Sequence, residues 1–300
     1  MREGMGEVED WIVNSKNIVL LLACVAVFAL VAEAAETGLG SSAGQEKELH
    51  PWCGQYCMSF FTKTRSANTV GKGHLSVSLK YQYYDWDQVR GADNDYHNRT
   101  SGQSKERSIF VLCSKYGWAR DHHIALGIPY WMNDFDIPGK ENDSQGITNI
   151  YVFEKWKIIK ETNTVPGVAV DIWYYFPSGD DDRSLGTDDS AIKISTEVSK
   201  AWEDFSLHFN PNYMWSQDKD MEVGEINGAI LFRPDPKIWP AIEYNYFVKE
   251  HKGHSHDIVP GIIWKFKKGW SFKAGVPINL DSTFTDRDVV SIVLKLFRRW

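Results

Sequence analysis

Beyond Ala32 the chain lacks any long apolar run, which excludes a bundle of membrane-crossing helices, since each would need about 20 consecutive apolar residues. The one run present, Ile18 to Ala32, is shorter than that. Positive charge is also in short supply. With 33 Lys and Arg against 40 Asp and Glu, the net charge is −7 and no basic stripe is visible, so a nucleic-acid partner is excluded. Cysteine is scarce, 4 in all. Cys24 lies inside the apolar run, and the remaining Cys53, Cys57 and Cys113 are an odd number that cannot form a disulfide framework. Neither a heptad pattern nor a longer repeat is present, which argues against coiled coils and propellers.

Aromatic residues are abundant: 13 Trp, 13 Tyr and 15 Phe, or 14% of the chain, although the mean hydropathy is only −0.38. Such a balance suits a β-barrel with a wet lumen and aromatic girdles, and it equally suits a carbohydrate-binding β-sandwich. At the N-terminus, Lys16, the apolar run and Ala32-Glu33-Ala34 read as a signal peptide over residues 1–34. The leading segment carries Glu3, Glu7, Glu9 and Asp10, unusual for such a leader, which a start at Met5 or later would accommodate. Leu21-Leu22-Ala23-Cys24 resembles a lipoprotein box, but apolar residues continue past Cys24, so cleavage near Ala34 is the expectation. Residues 35–73 are small, polar and irregular, and read as a periplasmic extension. Cys53 and Cys57 within it can pair in an oxidising compartment. Covalent haem needs Cys-x-x-Cys-His, which is absent, and no cofactor or metal is assigned.

From His74 onward, apolar and polar residues alternate. Leu75, Val77, Leu79, Tyr81 and Tyr83 share one face and Ser76, Ser78, Lys80 and Gln82 the other, the pattern of a strand with one greasy and one wet side. Comparable runs recur through Ile124–Tyr130, Val168–Phe176, Ile192–Val198, Phe205–Phe209, Ile242–Val248, Ile258–Phe266 and Trp270–Ile278. Ser108–Tyr116, Thr148–Ile158 and Glu225–Phe232 are weaker, with faces that cannot be assigned. With Val289–Trp300 this makes about twelve strands. Connections alternate between long polar segments (85–107, 132–145, 178–190, 216–222, 249–257, 279–288) and compact ones (117–122, 160–166, 202–204, 233–237, 267–269). Outer-membrane barrels have short periplasmic turns and long extracellular loops. The expectation is therefore an all-β, up-and-down antiparallel transmembrane barrel over residues 74–300, in a Gram-negative outer membrane, with both ends in the periplasm. On the last strand Val290, Ile292, Leu294, Leu296 and Trp300 share a face. Arg298 interrupts it, at little cost if it sits at the periplasmic boundary, where an Arg on the lipid face costs about 0–1 kcal/mol.

Phe176-Pro177-Ser178-Gly179-Asp180, then Leu185-Gly186-Thr187 and Leu207-His208-Phe209-Asn210-Pro211-Asn212-Tyr213, together with Ile128-Pro129-Tyr130 and Gly146-Ile147-Thr148-Asn149-Ile150, resemble the outer-membrane transporter family grouped with the MetA pathway of phenol degradation. The resemblance covers roughly Gly73 to Trp300 and implies a monomeric barrel that passes small, often aromatic or hydrophobic, molecules. The Cys-containing extension and the heavily charged wet face depart from the pattern. What such proteins share also implies that Leu294, Leu296 and the terminal Trp300 form the signal read by the barrel-assembly machinery. Partners are then membrane lipids, that machinery and a small solute.

No catalytic group is assigned. Ser255 lies between His254 and His256 without an orienting third group. The histidines His251, His254 and His256 with Asp257 match no known ligand spacing, and the acidic tracts Asp180-Asp181-Asp182 and Asp188-Asp189 read as solvated loops. The functional candidates are inward charges: Lys80, Asp171, Lys193, Glu197, His208, Glu243, Lys265, Lys273 and Lys295. These either line a narrow pore for passive diffusion or pair across it to make a plugged, anchoring barrel.

Overall fold

The computed structural model describes residues 61–86, 88–90, 95–100, 103–137, 140–217, 222–249, 253–284, 286–287 and 290–299. The segment expected to be a signal peptide, Cys53 and Cys57, His251 and Trp300 lie outside these residues. Among the described residues there is no helix, and twelve antiparallel strands form the main body. They are β1 (Leu75–Asp85), β2 (Ser104–Ala119), β3 (His122–Ile137), β4 (Tyr151–Ile159), β5 (Gly167–Tyr175), β6 (Ala191–Ala201), β7 (Phe205–Ser216), β8 (Val223–Phe232), β9 (Ile238–Lys249), β10 (Gly253–Lys267), β11 (Trp270–Gly275) and β12 (Val290–Arg299). Each pairs with its neighbours in sequence, and β1 pairs with β12 from Ser76↔Arg299 to Asp85↔Val290. The sheet is thereby closed, and every ladder is satisfied within the protein, which a hydrocarbon environment requires.

The period-two pattern fixes which face looks where. Leu79, Leu112, Ile124, Ile194, Leu207, Ile262 and Leu296 are exposed on the outside, while Ser78, Ser195, Glu197, Asn210, Glu243 and Lys295 are buried inside. Such an inverted distribution, with contiguous apolar surface out and charge in, belongs to a lipid-facing wall. Trp118 and Trp202 mark one rim of the apolar band and Tyr174 and Trp215 the other. Along β7, Phe205 to Trp215 at about 3.3 Å per residue and about 40° of tilt spans roughly 25 Å, the height of an outer-membrane apolar belt. This is a bacterial outer-membrane barrel. The compact connections all fall at one end, and Arg298 lies there too, 4.7 Å over the ring of Trp270.

At the opposite end the structure corrects three expected loops. β3 continues to Ile137 and folds back through Lys140–Ile147 as a hairpin standing beyond the membrane. Ile278–Ser282 extends β11 along β10, and Gln88–Arg90, Tyr96–Asn98 and Asp286–Arg287 form a small separate sheet. Above the lipid the outer face of a hairpin meets water instead of hydrocarbon, while Asn133, Phe135 and Ser144 stay buried on its inner face. Alternation in hydropathy disappears there although backbone pairing does not.

Candidate functional site

Residues 61–72, which the sequence reading places in a periplasmic extension, lie inside the barrel as a strap along its inner wall. The strap is anchored to successive strands in descending order. At its start the chain curls around the carboxylate of Glu243 on β9. The amides of Phe61 and Thr62 donate to Oε2 at 2.9 and 3.0 Å, and those of Lys63 and Thr64 donate to Oε1 at 2.6 and 2.7 Å. The Thr62 hydroxyl adds a fifth donor at 2.7 Å. Four consecutive amides aimed at one anion make a nest, and such charge-assisted bonds are about twice as strong as neutral ones. Next, the Arg65 amide donates to Asn210 of β7 and the Ala67 amide to Ser199 of β6 at 2.8 Å. Lys155 of β4 donates to the Ser66 carbonyl at 3.1 Å, and the Val70 amide donates to Nδ1 of His123 on β3 at 3.2 Å.

The Arg65 side chain is the other anchor. Its guanidinium lies 2.8 Å from Asp171 and 3.5 Å from Glu197, while Lys155 lies 2.9 Å from Glu197. Trp173 donates its indole N–H to Asp171 at 2.7 Å, and its ring lies 4.5 Å from the guanidinium. All four charged groups are nearly or wholly buried. Burying ions costs several kcal/mol each, so two carboxylates persist there only because two cations meet them.

The strap divides the lumen. On one side Phe61 joins Ala229, Leu231, Trp239, Ala241, Val259, Ile263 and Val293 in a dry cluster. Gly261 permits this packing, because a Cβ there would stand 2.5 Å from Cζ of Phe61. On the other side a chamber of about 240 Å³ remains, lined by Lys80, Lys115, Lys193 and Lys295 with Tyr151, Phe153, Trp173 and Tyr175, and by Thr62, Lys63 and Arg65 of the strap. Lys193 lies 4.4 Å over the ring of Trp173. One carboxylate, Glu225, lines the chamber, and Lys63 bridges it at 2.7 Å. The chamber is thus cationic and aromatic. It shares Val111, Tyr151, Tyr175, Lys193 and Glu225 with a vestibule of about 610 Å³ at the long-loop end, where Arg107 and Trp131 also stand.

A loop over residues 176–190 folds inward to form one wall of the vestibule. Asn149 accepts from the Thr187 amide at 2.8 Å and donates to its carbonyl at 2.9 Å. Ser178 accepts from the Ile150 amide at 2.8 Å, and Leu185 is buried beneath. Gly186 has φ of 124° and sits against Asn149, where a Cβ does not fit. The motifs Phe176–Asp180, Leu185–Thr187 and Gly146–Ile150 therefore converge on holding this loop in the mouth, whereas Leu207–Tyr213 lies on β7, where Asn210 holds the strap. The acidic tract read as a solvated loop is partly vestibule wall, through Asp181 and Asp189.

The nine inward charges separate into three groups. Lys80, Lys193 and Lys295 line the chamber; Asp171, Glu197 and Glu243 hold the strap. His208 is fixed between Ser199 and Ser206 at 2.8 and 3.0 Å, Lys265 lies 3.0 Å from the Trp239 ring centroid, and Lys273 is buried. Leu294 and Leu296 face outward along the last strand. Ser255 bonds to Asp257 and Asn279, on the opposite face of β10 from the flanking histidines. Sequence reasoning missed Arg65, Lys115, Lys155, Tyr151 and Glu225. Four of these sit on the strands whose faces could not be assigned. Arg65 was findable as a cation owed to the acidic cluster of β5 and β6.

No curated sequence matches the chain. Among solved structures, an outer membrane channel of Pseudomonas putida F1 overlays with a TM-score of 0.64 at 12% identity, over 77% of this chain and 97% of the other. A toluene transporter of Ralstonia pickettii overlays more loosely, with a TM-score of 0.45 at 7% identity over 77% and 90%. The porin NanC gives 0.49 at 11% over 74% and 97%. A family model matches residues 61–288, beginning at the first described residue of the strap, and the chain belongs to that family, described as "Putative MetA-pathway of phenol degradation".

Proposed function

We propose that the protein is a channel for passive passage of a small anionic solute bearing an aromatic ring, entering at the long-loop face. The observation that carries this is the chamber of lysines interleaved with Tyr151, Phe153, Trp173 and Tyr175, opening into the vestibule. Lysines at a low-dielectric wall concentrate anions, and ring faces supply apolar contact that a purely ionic pore lacks. The family's description by a phenol-degradation pathway accords with ring-bearing solutes. The strap lies across the path beyond the chamber, so passage requires it to yield.

Planar-bilayer recording in a salt gradient tests the reading. The reversal potential is expected to show anion preference, reduced or inverted in a Lys80→Glu/Lys295→Glu variant, and liposomes are expected to take up benzoate faster than benzylammonium. A second reading, a closed anchoring barrel, draws on the dry cluster and the five hydrogen bonds at Glu243. Absence of current and uptake, even in variants whose strap has been released, would favour it.

A further inference from the structure

The geometry points to a divalent transition-metal site on the outer rim of the barrel, formed by His254, His256 and Asp281. His254 and His256 are two residues apart on β10, in phase with the exposed Ile262 and Trp264, so both rings stand on the outer surface. Asp281 comes from Ile278–Ser282 and pairs directly with His256 across the ladder. One ligand atom from each residue falls within a set no wider than 4.8 Å. Nε2 of His254 is already 3.5 Å from a carboxylate oxygen of Asp281. Ligands around a tetrahedral zinc ion lie about 3.3 Å apart, from bonds of about 2.0–2.1 Å, so small side-chain rotations close the set.

The outer contacts of the rings support this use. Nδ1 of His256 is 2.7 Å from the Tyr244 hydroxyl, and Nδ1 of His254 is 3.3 Å from the Thr283 hydroxyl. With Nδ1 engaged, each ring offers Nε2 for ligation, and such a second partner is what orients a ligating histidine. Two imidazoles and one carboxylate suit Zn²⁺, Cu²⁺ or Ni²⁺, whereas Ca²⁺ and Mg²⁺ prefer oxygen. A bound ion would clip the outer part of β10 to the strand that resumes beyond Val276-Pro277, stiffening the rim. Asp257, the acidic neighbour in sequence, lies on the opposite face of the strand and takes no part.

The test is titration of Zn²⁺ into detergent-solubilised, full-length protein without a histidine tag, followed by calorimetry, with Co²⁺ absorption as a second readout. One ion per barrel is expected, weakened at least about 100-fold in His254→Ala/His256→Ala and about 10-fold in Tyr244→Phe, where an outer-shell partner is lost. Heat-modifiable migration on gels checks that each variant retains the barrel. Saturable 1:1 binding lost in the double variant supports the site. Absence of saturable binding, binding unchanged in the double variant, or equal competition by Ca²⁺ or Mg²⁺ would each overturn it.

Discussion

On one side of the strap the lumen is bounded by β1, β2 and β4–β6, whose inward residues Lys80, Lys115, Tyr151, Trp173 and Lys193 surround open volume; on the other, β8–β10 fill it with Leu231, Trp239, Val259 and Ile263 against Phe61. All of these are strands of the same closed sheet with the same outward apolar face. The difference lies in what the inward positions hold. Long charged and aromatic side chains at facing positions cannot interdigitate without pairing, so they stand apart and leave a chamber. Leu231, Val259 and Ile263 close on Phe61 and on Trp239, whose ring Lys265 covers, as densely as in the core of a soluble protein. The strap belongs to both sides, held at the dry one through Glu243 and at the wet one through Arg65.

Substitutions on the two sides should therefore separate transport from stability. The largest effect is expected for Arg65→Ala, which leaves Asp171 and Glu197 with Lys155 as their remaining cation. Breaking a buried ion group by removing one partner costs about 3–5 kcal/mol, and here most of that cost should appear as release of the strap. Single-channel conductance is expected to rise severalfold, with residues 61–72 becoming cleavable by protease. Unchanged conductance together with an intact strap would mean that Glu243 alone suffices. Leu231→Ala probes the dry side. A fully buried Leu truncated to Ala costs about 2–5 kcal/mol. Urea unfolding should report that loss while ion selectivity stays as in the parent, and a changed selectivity would show that the solute also passes the dry side. A smaller effect is expected for Gly186→Ala, where a left-handed φ and the adjacent Asn149 cost about 1–3 kcal/mol of loop geometry. Current through the vestibule should become noisier without a change in barrel stability.

How much of this was legible beforehand follows from where hydropathy carries information. Within the membrane, lipid imposes an apolar outward position at every second residue, so the strands and the inward placement of Lys80, Asp171 and Glu243 could be read from period alone. β4 hid itself because Phe153 points inward while Glu154 points outward, reversing the usual sign at two adjacent positions. Its Lys155, a main support of the strap, was lost with it. Beyond the membrane, Lys140–Ile147 pairs as well as any strand, yet Asp143 and Ser144 have no lipid to sort them. The strap carries no periodicity, because four successive amides converge on Glu243 and the bonds beyond Thr64 run to a different strand at nearly every residue. Its only trace in sequence is compositional: the hydroxyls and cations of Thr62, Lys63, Thr64, Arg65 and Ser66 facing a barrel with buried acids to satisfy.

The smallest expected effect belongs to Lys193→Met, which sharpens the comparison most finely. Lys193 lines both vestibule and chamber and lies 4.4 Å over the Trp173 ring and 5.7 Å over that of Tyr175. Met keeps the length and the contact with the indole while removing the charge. A cation over an aromatic face contributes about 0.5–2 kcal/mol, so barrel stability should fall only slightly. A solute anion passing within about 4 Å of the lysine would lose roughly 1 kcal/mol of attraction, or about fivefold in apparent affinity, where water in the chamber screens the pair almost as bulk water does. Benzoate uptake into liposomes should then saturate at about fivefold higher concentration, with the maximal rate little altered. An uncharged ring such as phenol should be unaffected, since Trp173 and Tyr175 remain. Equal loss for benzoate and phenol would show that Lys193 acts by shaping the aromatic wall and not by its charge, and the wet side would then differ from the dry one in openness alone.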